Sequence, residues 1–127
     1  ASAKHDLDLA VLINCDGGYT DTVCYFCHQT IEKSLKTVLI ANDIWDFPKV
    51  HKLKILLKRV FVFVPEIKDF TSSIVQMDKY FIETKYPPDI PIIYSHDEAE
   101  QALSMATKIY EFTEKIIQKQ SSAPAQT

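Results

Sequence analysis

The sequence predicts an all-α fold, a four- to five-helix up-and-down bundle, on three observations. Apolar residues recur every three or four positions over long stretches, the period of a helix that turns one face to a core. The chain has only two glycines, Gly17 and Gly18, side by side, so it can make few turns that need a positive φ and suits a many-turned β architecture poorly. Pro48, Pro65 and the cluster Pro87, Pro88 and Pro91 divide the rest into segments of helical length. At 127 residues, with 46% hydrophobic and 24% charged residues, the composition is that of one ordinary globular domain. A chain of this length buries roughly two thirds of the surface it exposes when unfolded. The expected division is a bundle over residues 1–120 and a flexible tail over 121–127.

A first helix is expected from about Asp6 to Cys15, where Leu7, Ala10, Val11 and Asn14 lie one turn apart, and Asp16, Gly17 and Gly18 end it. The second, from about Thr20 to Ala41, has the strongest pattern: Val23, Cys27, Ile31, Leu35 and Val38 or Leu39 form one stripe, with Lys33 and Lys36 off it. Asn42 to Lys49 reads as a loop closed by Pro48. A third helix from about Val50 presents Leu53, Leu56, Leu57 and Val60, and Pro65 stops it. Within it, Arg59 to Val64 has the β-branched and aromatic content of a strand on local propensity alone, and it is expected to be helical or irregular. A fourth helix from about Glu66 to Ile82 carries Ile67, Phe70, Ile74, Met77 and Phe81. The proline-rich stretch Glu83 to Tyr94 cannot be regular helix, and a connection this long in a small bundle is more often functional than accidental. Ser95 followed three residues later by Glu98 is a capping-box pattern. It launches a last helix with the stripe Ala99, Ala102, Leu103, Ala106, Ile109, Tyr110, Thr113 and Ile116.

Charge and cysteine usage narrow the functional classes. A formal net charge of −3 argues against non-specific coating of DNA, although local basic faces matter more than the total. The longest strictly apolar run, Val60 to Pro65, is far shorter than the ~20 residues a helix needs to cross a bilayer, so no membrane partner is expected. Three cysteines, two of them at helical spacing, fit reduced thiols in the cytoplasm better than a disulfide framework. The chain begins Ala1, Ser2, Ala3 without a methionine or a signal-peptide pattern, as a processed product or excised fragment would.

Several runs together resemble the HEPN family of nucleotide- and RNA-associated helical bundles. Gln29, Glu32, Lys33, Leu35 and Lys36 are similar to the family's QxxEKxLKxLL signature. His51 and Leu53, followed by Leu56 and Leu57, resemble its THDLxxLL element. Lys85, Tyr86 and Pro87 resemble an Arg-Tyr-Pro element before the last helix, which opens Asp97, Glu98, Ala99 much as in the family. The likeness covers about Leu7 to Ile117. Two departures stand out. The family's ribonucleases carry an arginine followed four to six residues later by a histidine, whereas here the single arginine, Arg59, has no histidine after it until His96. Lys85 stands where relatives have arginine, which keeps the charge but loses the planar fork that grips phosphate bidentately. The resemblance implies a homodimer whose cleft accepts nucleotide or RNA, often beside a small nucleotidyltransferase.

A basic face is visible without the family. His51, Lys54 and Lys58 recur at helical spacing, as do Lys33 and Lys36, so two helices could offer cations to a polyphosphate. The bland alternative is a solvated face opposite an apolar stripe. Tyr86 beside Lys85 could stack on a base, or simply anchor the loop. The expected nucleotide- or phosphate-binding set is therefore Lys33, Lys36, His51, Lys54, Lys85 and Tyr86, with no catalytic residue among them. Cys24 to His28 matches the CxxCH pattern of c-type haem attachment, but it lies within the helix signature. Its plain reading is helix residues on and beside the core stripe. A zinc site would need further ligands, with Cys15 the only nearby cysteine, and a redox CxxC belongs at a helix N-terminus rather than a turn inside. No cofactor is expected. Three functions follow. The first is a nucleotide- or RNA-binding module without ribonuclease activity. The second is a divergent metal-independent ribonuclease of a toxin-antitoxin system, using His51 with Lys85 or Arg59. The third is a ligand-free partner-docking bundle.

Overall fold

A computed structural model of the chain describes residues 2–15, 17, 19–47, 52–84 and 94–122. The described elements are α1 (Ser2–Cys15), α2 (Thr20–Ala41), α3 (Leu53–Phe63), a 3-10 helix (Pro65–Phe70), α4 (Thr71–Thr84) and α5 (His96–Ser122). Among the described residues there is no strand. The five α-helices form a packed bundle around α2, which packs most broadly on α5 and α1 and also meets α3 and α4.

The central place of α2 explains its burial. Val23, Cys27, Ile31, Leu35, Val38 and Leu39, the expected stripe, are all fully buried. Contact with four helices also closes over flanking positions, so Cys24, His28, Thr30, Glu32 and Ser34 are buried as well. The helix ends with Asp43 at φ 66°. Asp43 N–H donates to the Ile40 carbonyl and Ile44 N–H to the Leu39 carbonyl, both at 2.9 Å. This pairing satisfies the last carbonyls of a helix through one left-handed residue.

Tertiary burial overrides local β propensity in α3, which stays helical through Phe63. Val60 is fully buried and its carbonyl accepts the Val64 N–H at 2.8 Å. Pro65 then opens the 3-10 helix at a position where its missing N–H has no intrahelical acceptor to reach. The expected fourth helix is thus two pieces: the tighter turns place Ile67 in the core, and Thr71 Oγ1 donates to the Lys68 carbonyl at 2.7 Å as α4 begins.

α1 starts at Ser2 rather than near Asp6, and its buried row is Ala3, Asp6, Leu7 and Ala10. Val11 lies off that row and is 44% exposed. At α5 the capping box forms as expected: Ser95 N–H donates to Glu98 Oε1 at 2.9 Å, and Glu98 N–H to Ser95 Oγ at 3.0 Å. Ala99, Ala102, Ala106, Ile109 and Thr113 are buried, with Leu103, Tyr110 and Ile116 half-buried at the edge.

Candidate functional site

α3 and α4 enclose between them a groove of about 380 Å³, with the 3-10 helix closing one side. Its lining is Lys54, Leu57, Lys58 and Phe61 from α3, Lys68 from the 3-10 helix, and Thr71 and Val75 from α4. The four α3 residues fall at i, i+3, i+4 and i+7, the spacing that puts side chains on one face of a helix. Leu57 reaches into the core, while Phe61 and Val75 are 45% and 40% exposed and leave apolar surface open to a ligand. The volume lies within the roughly 300–1,000 Å³ usual for small-molecule sites.

The charges around this groove differ from those on α1 and α2. None of Lys54, Lys58 and Lys68 is paired with a carboxylate among the described residues. The lysines of α1 and α2 are engaged: Lys33 Nζ lies 2.6 Å from Asp6 Oδ2, Lys36 lies 3.6 Å from Glu32 and 5.4 Å over the Phe47 ring, and Lys4 lies 2.9 Å from Asp8. An apolar floor with three cations at its rim suits an anion that carries an apolar body. Long-range attraction between these ammonium groups and a phosphate is favourable, and the floor rewards burial of a flat ring.

Beneath the Lys54 end lies a buried polar cluster. Asp78 of α4 accepts the Leu53 N–H at 2.7 Å through Oδ1 and the Lys54 N–H at 3.1 Å through Oδ2. Lys52, the residue that precedes α3, makes no side-chain cap, so the first turn of α3 is capped from another helix. His28 Nε2 of α2, fully buried, lies 3.7 Å from Asp78 Oδ1, longer than a good hydrogen bond. Burial alone would raise the Asp78 pKa, but the neighbouring imidazole and the two backbone N–H groups outweigh it and hold the carboxyl below its ordinary value.

Of the residues expected from the sequence, Lys54 lines the groove and Lys33 and Lys36 do not. His51, Lys85 and Tyr86 lie outside the described residues. Sequence reasoning missed Phe61, Lys68, Thr71 and Val75, and it gave Asp78 no role. The one signal in the sequence was Phe61 at i+7 from Lys54 and i+3 from Lys58. Lys68 and the α4 residues come from other elements and share no sequence pattern with α3.

Cys24 and Cys27 are core residues at 1% and 0% exposure. Burial pushes the Cys24 thiol up to about 12 and raises Cys27 too. Neither sulfur can meet a haem vinyl group or a disulfide partner without opening the core, and both thiols are held in the unreactive protonated form. Arg59 is also engaged, donating to the Asp46 carbonyl at 2.6 Å. No described helix is long and apolar enough to cross a membrane.

No curated protein and no solved structure matches the chain. The HEPN domain family matches over residues 1–116, a span that contains all of α1 to α4, the groove and most of α5. With that match over nearly the whole bundle, the chain belongs to the HEPN domain family.

Proposed function

We propose that this HEPN domain is a binding module for nucleoside phosphates, taken free or as part of an RNA strand, and that it does not itself cleave RNA. The single observation that carries the reading is the α3–α4 groove, where three lysines without carboxylate partners among the described residues rim an apolar floor ending at Phe61. In this reading phosphates lie against Lys54, Lys58 and Lys68 while the base rests on Phe61 and Val75. Lys33, Lys36, His51, Lys85 and Tyr86 stay candidates for a longer RNA footprint, and the same binding assay tests them singly. The missing Arg-to-His spacing around Arg59 supports binding without hydrolysis. The domain acts as a homodimer, with Val62, 74% exposed, and Phe63 available for the interface, and it partners a small nucleotidyltransferase.

Fluorescence anisotropy with a labelled single-stranded RNA and with a labelled adenosine triphosphate tests this directly. Each phosphate that a lysine neutralises adds about 0.7 to the slope of log affinity against log salt for a single strand, so K54A/K58A/K68A should flatten that slope by about 2. Phe61→Ala should cost about 1–3 kcal/mol if a base stacks there. Unchanged affinity in the triple variant removes the groove from the function. Cleavage of the labelled RNA that disappears in His51→Ala would replace the binding module with a ribonuclease.

A further inference from the structure

We infer that Asp78 is a positioning residue for the groove, tying the first turn of α3 to α4 and so fixing where Lys54 stands across from Thr71 and Val75. The inference rests on the groove being the ligand site.

Thr71, Val75 and Asp78 lie four and three residues apart on α4, one row along a single helix face. Two of them form the far wall of the groove. The third grips the near wall, because its carboxylate takes the N–H groups of Leu53 and Lys54 at 2.7 and 3.1 Å. One helix row therefore supplies both a wall and the tether that sets its distance from the opposite wall. A helix start usually finds its cap within its own sequence. Here Lys52 supplies none, so where α3 begins depends on a residue 25 positions away from Leu53 in the chain. Asp78 is buried and backed by His28 of α2. That leaves the carboxylate little freedom to follow α3 if α3 moves, and makes the tether stiff. The ionised state of Asp78, favoured by the same partners, gives the strong, charge-assisted form of both hydrogen bonds.

If Asp78 acted only on overall stability, its removal would affect ligand binding equally whichever lysine was present. A tether at the Lys54 end couples to Lys54 and not to Lys68 on the other side. The test is a double-mutant cycle with labelled adenosine triphosphate as the probe, on D78N, K54A, K68A and the two pairs. Residues in contact couple by roughly 0.5–3 kcal/mol. D78N should thus weaken binding about fivefold in the parent and in K68A, and less than about twofold in K54A. Equal losses in the K54A and K68A backgrounds overturn the inference. K54A alone without effect on affinity also overturns the inference, whereas unchanged affinity in K54A/K58A/K68A means that the groove reading fails, a distinct outcome. Lys52→Ser added to D78N supplies a local cap and secures folding without restoring the tether. Stability recovered with affinity still low supports the inference, and recovery of both refutes it.

Discussion

Removing the Asp78 carboxylate gives the sharpest test of how the bundle holds together. In Asp78→Ala the N–H groups of Leu53 and Lys54 are left without their acceptor. Leu53 is fully buried, so water cannot replace that bond, whereas Lys54 is exposed and its N–H can be rehydrated. A hydrogen bond to a charged group contributes about 1.5–3 kcal/mol, and an orphaned buried donor costs about 1–3 kcal/mol. Against this, the variant no longer desolvates a carboxylate, a gain that offsets part of the loss. The expected destabilisation is about 3 kcal/mol, or a fall in Tm of roughly 12 °C for a domain of this size. The pH dependence follows from the direction of the shift. The folded pKa of Asp78 lies below its ordinary value of 3.8, so its stabilisation is complete above that value and is lost as pH falls through the folded pKa. Urea titrations followed by circular dichroism, run at pH 7 and at steps down to the lowest pH where both proteins fold, should show the two stabilities converging in acid. A loss under about 1 kcal/mol at pH 7, or a difference that does not shrink below the ordinary carboxylate range, refutes the account of this cluster.

Three further outcomes test the packing. Ile31→Ala empties a fully buried site on the most enclosed helix and should cost about 3–4 kcal/mol, read as a lower urea midpoint at an unchanged slope. Ser95→Ala removes the hydroxyl that accepts the Glu98 N–H and should cost about 1 kcal/mol; a neutral result in thermal melts would mean that water caps α5 equally well. With Cys15 exposed and Cys24 and Cys27 buried, a thiol reagent at pH 8 should label one cysteine quickly in the native protein and all three in denaturant. Fast labelling of a second thiol would show that α2 is less enclosed than its burial implies.

Much of the fold was legible from the chain because helices are local objects. The stripe from Val23 to Leu39 marks α2 to the residue, and Ser95 with Glu98 marks the start of α5, since a cap and a period are written within one or two turns. Segments whose state depends on partners were harder. Arg59 to Phe63 carries β propensity, and only the burial of Val60 against the bundle makes it helix. Val11 fits a helical period but faces outward, because a weakly patterned short helix can be rotated by its neighbours.

The sequence by itself therefore determined the all-helical class, the extent of α2, the cap of α5 and the HEPN resemblance, each a property of residues near one another in the chain. Only the tertiary structure decided which lysines keep their charge available. Lys33 of α2 is taken up by Asp6 of α1, while Lys54 and Lys58 of α3 and Lys68 of the 3-10 helix are brought to one apolar groove. The physical reason is that a cation's partner is set by distance in space, and the distances that matter here are fixed by helix packing and by the Asp78 carboxylate rather than by spacing along the chain.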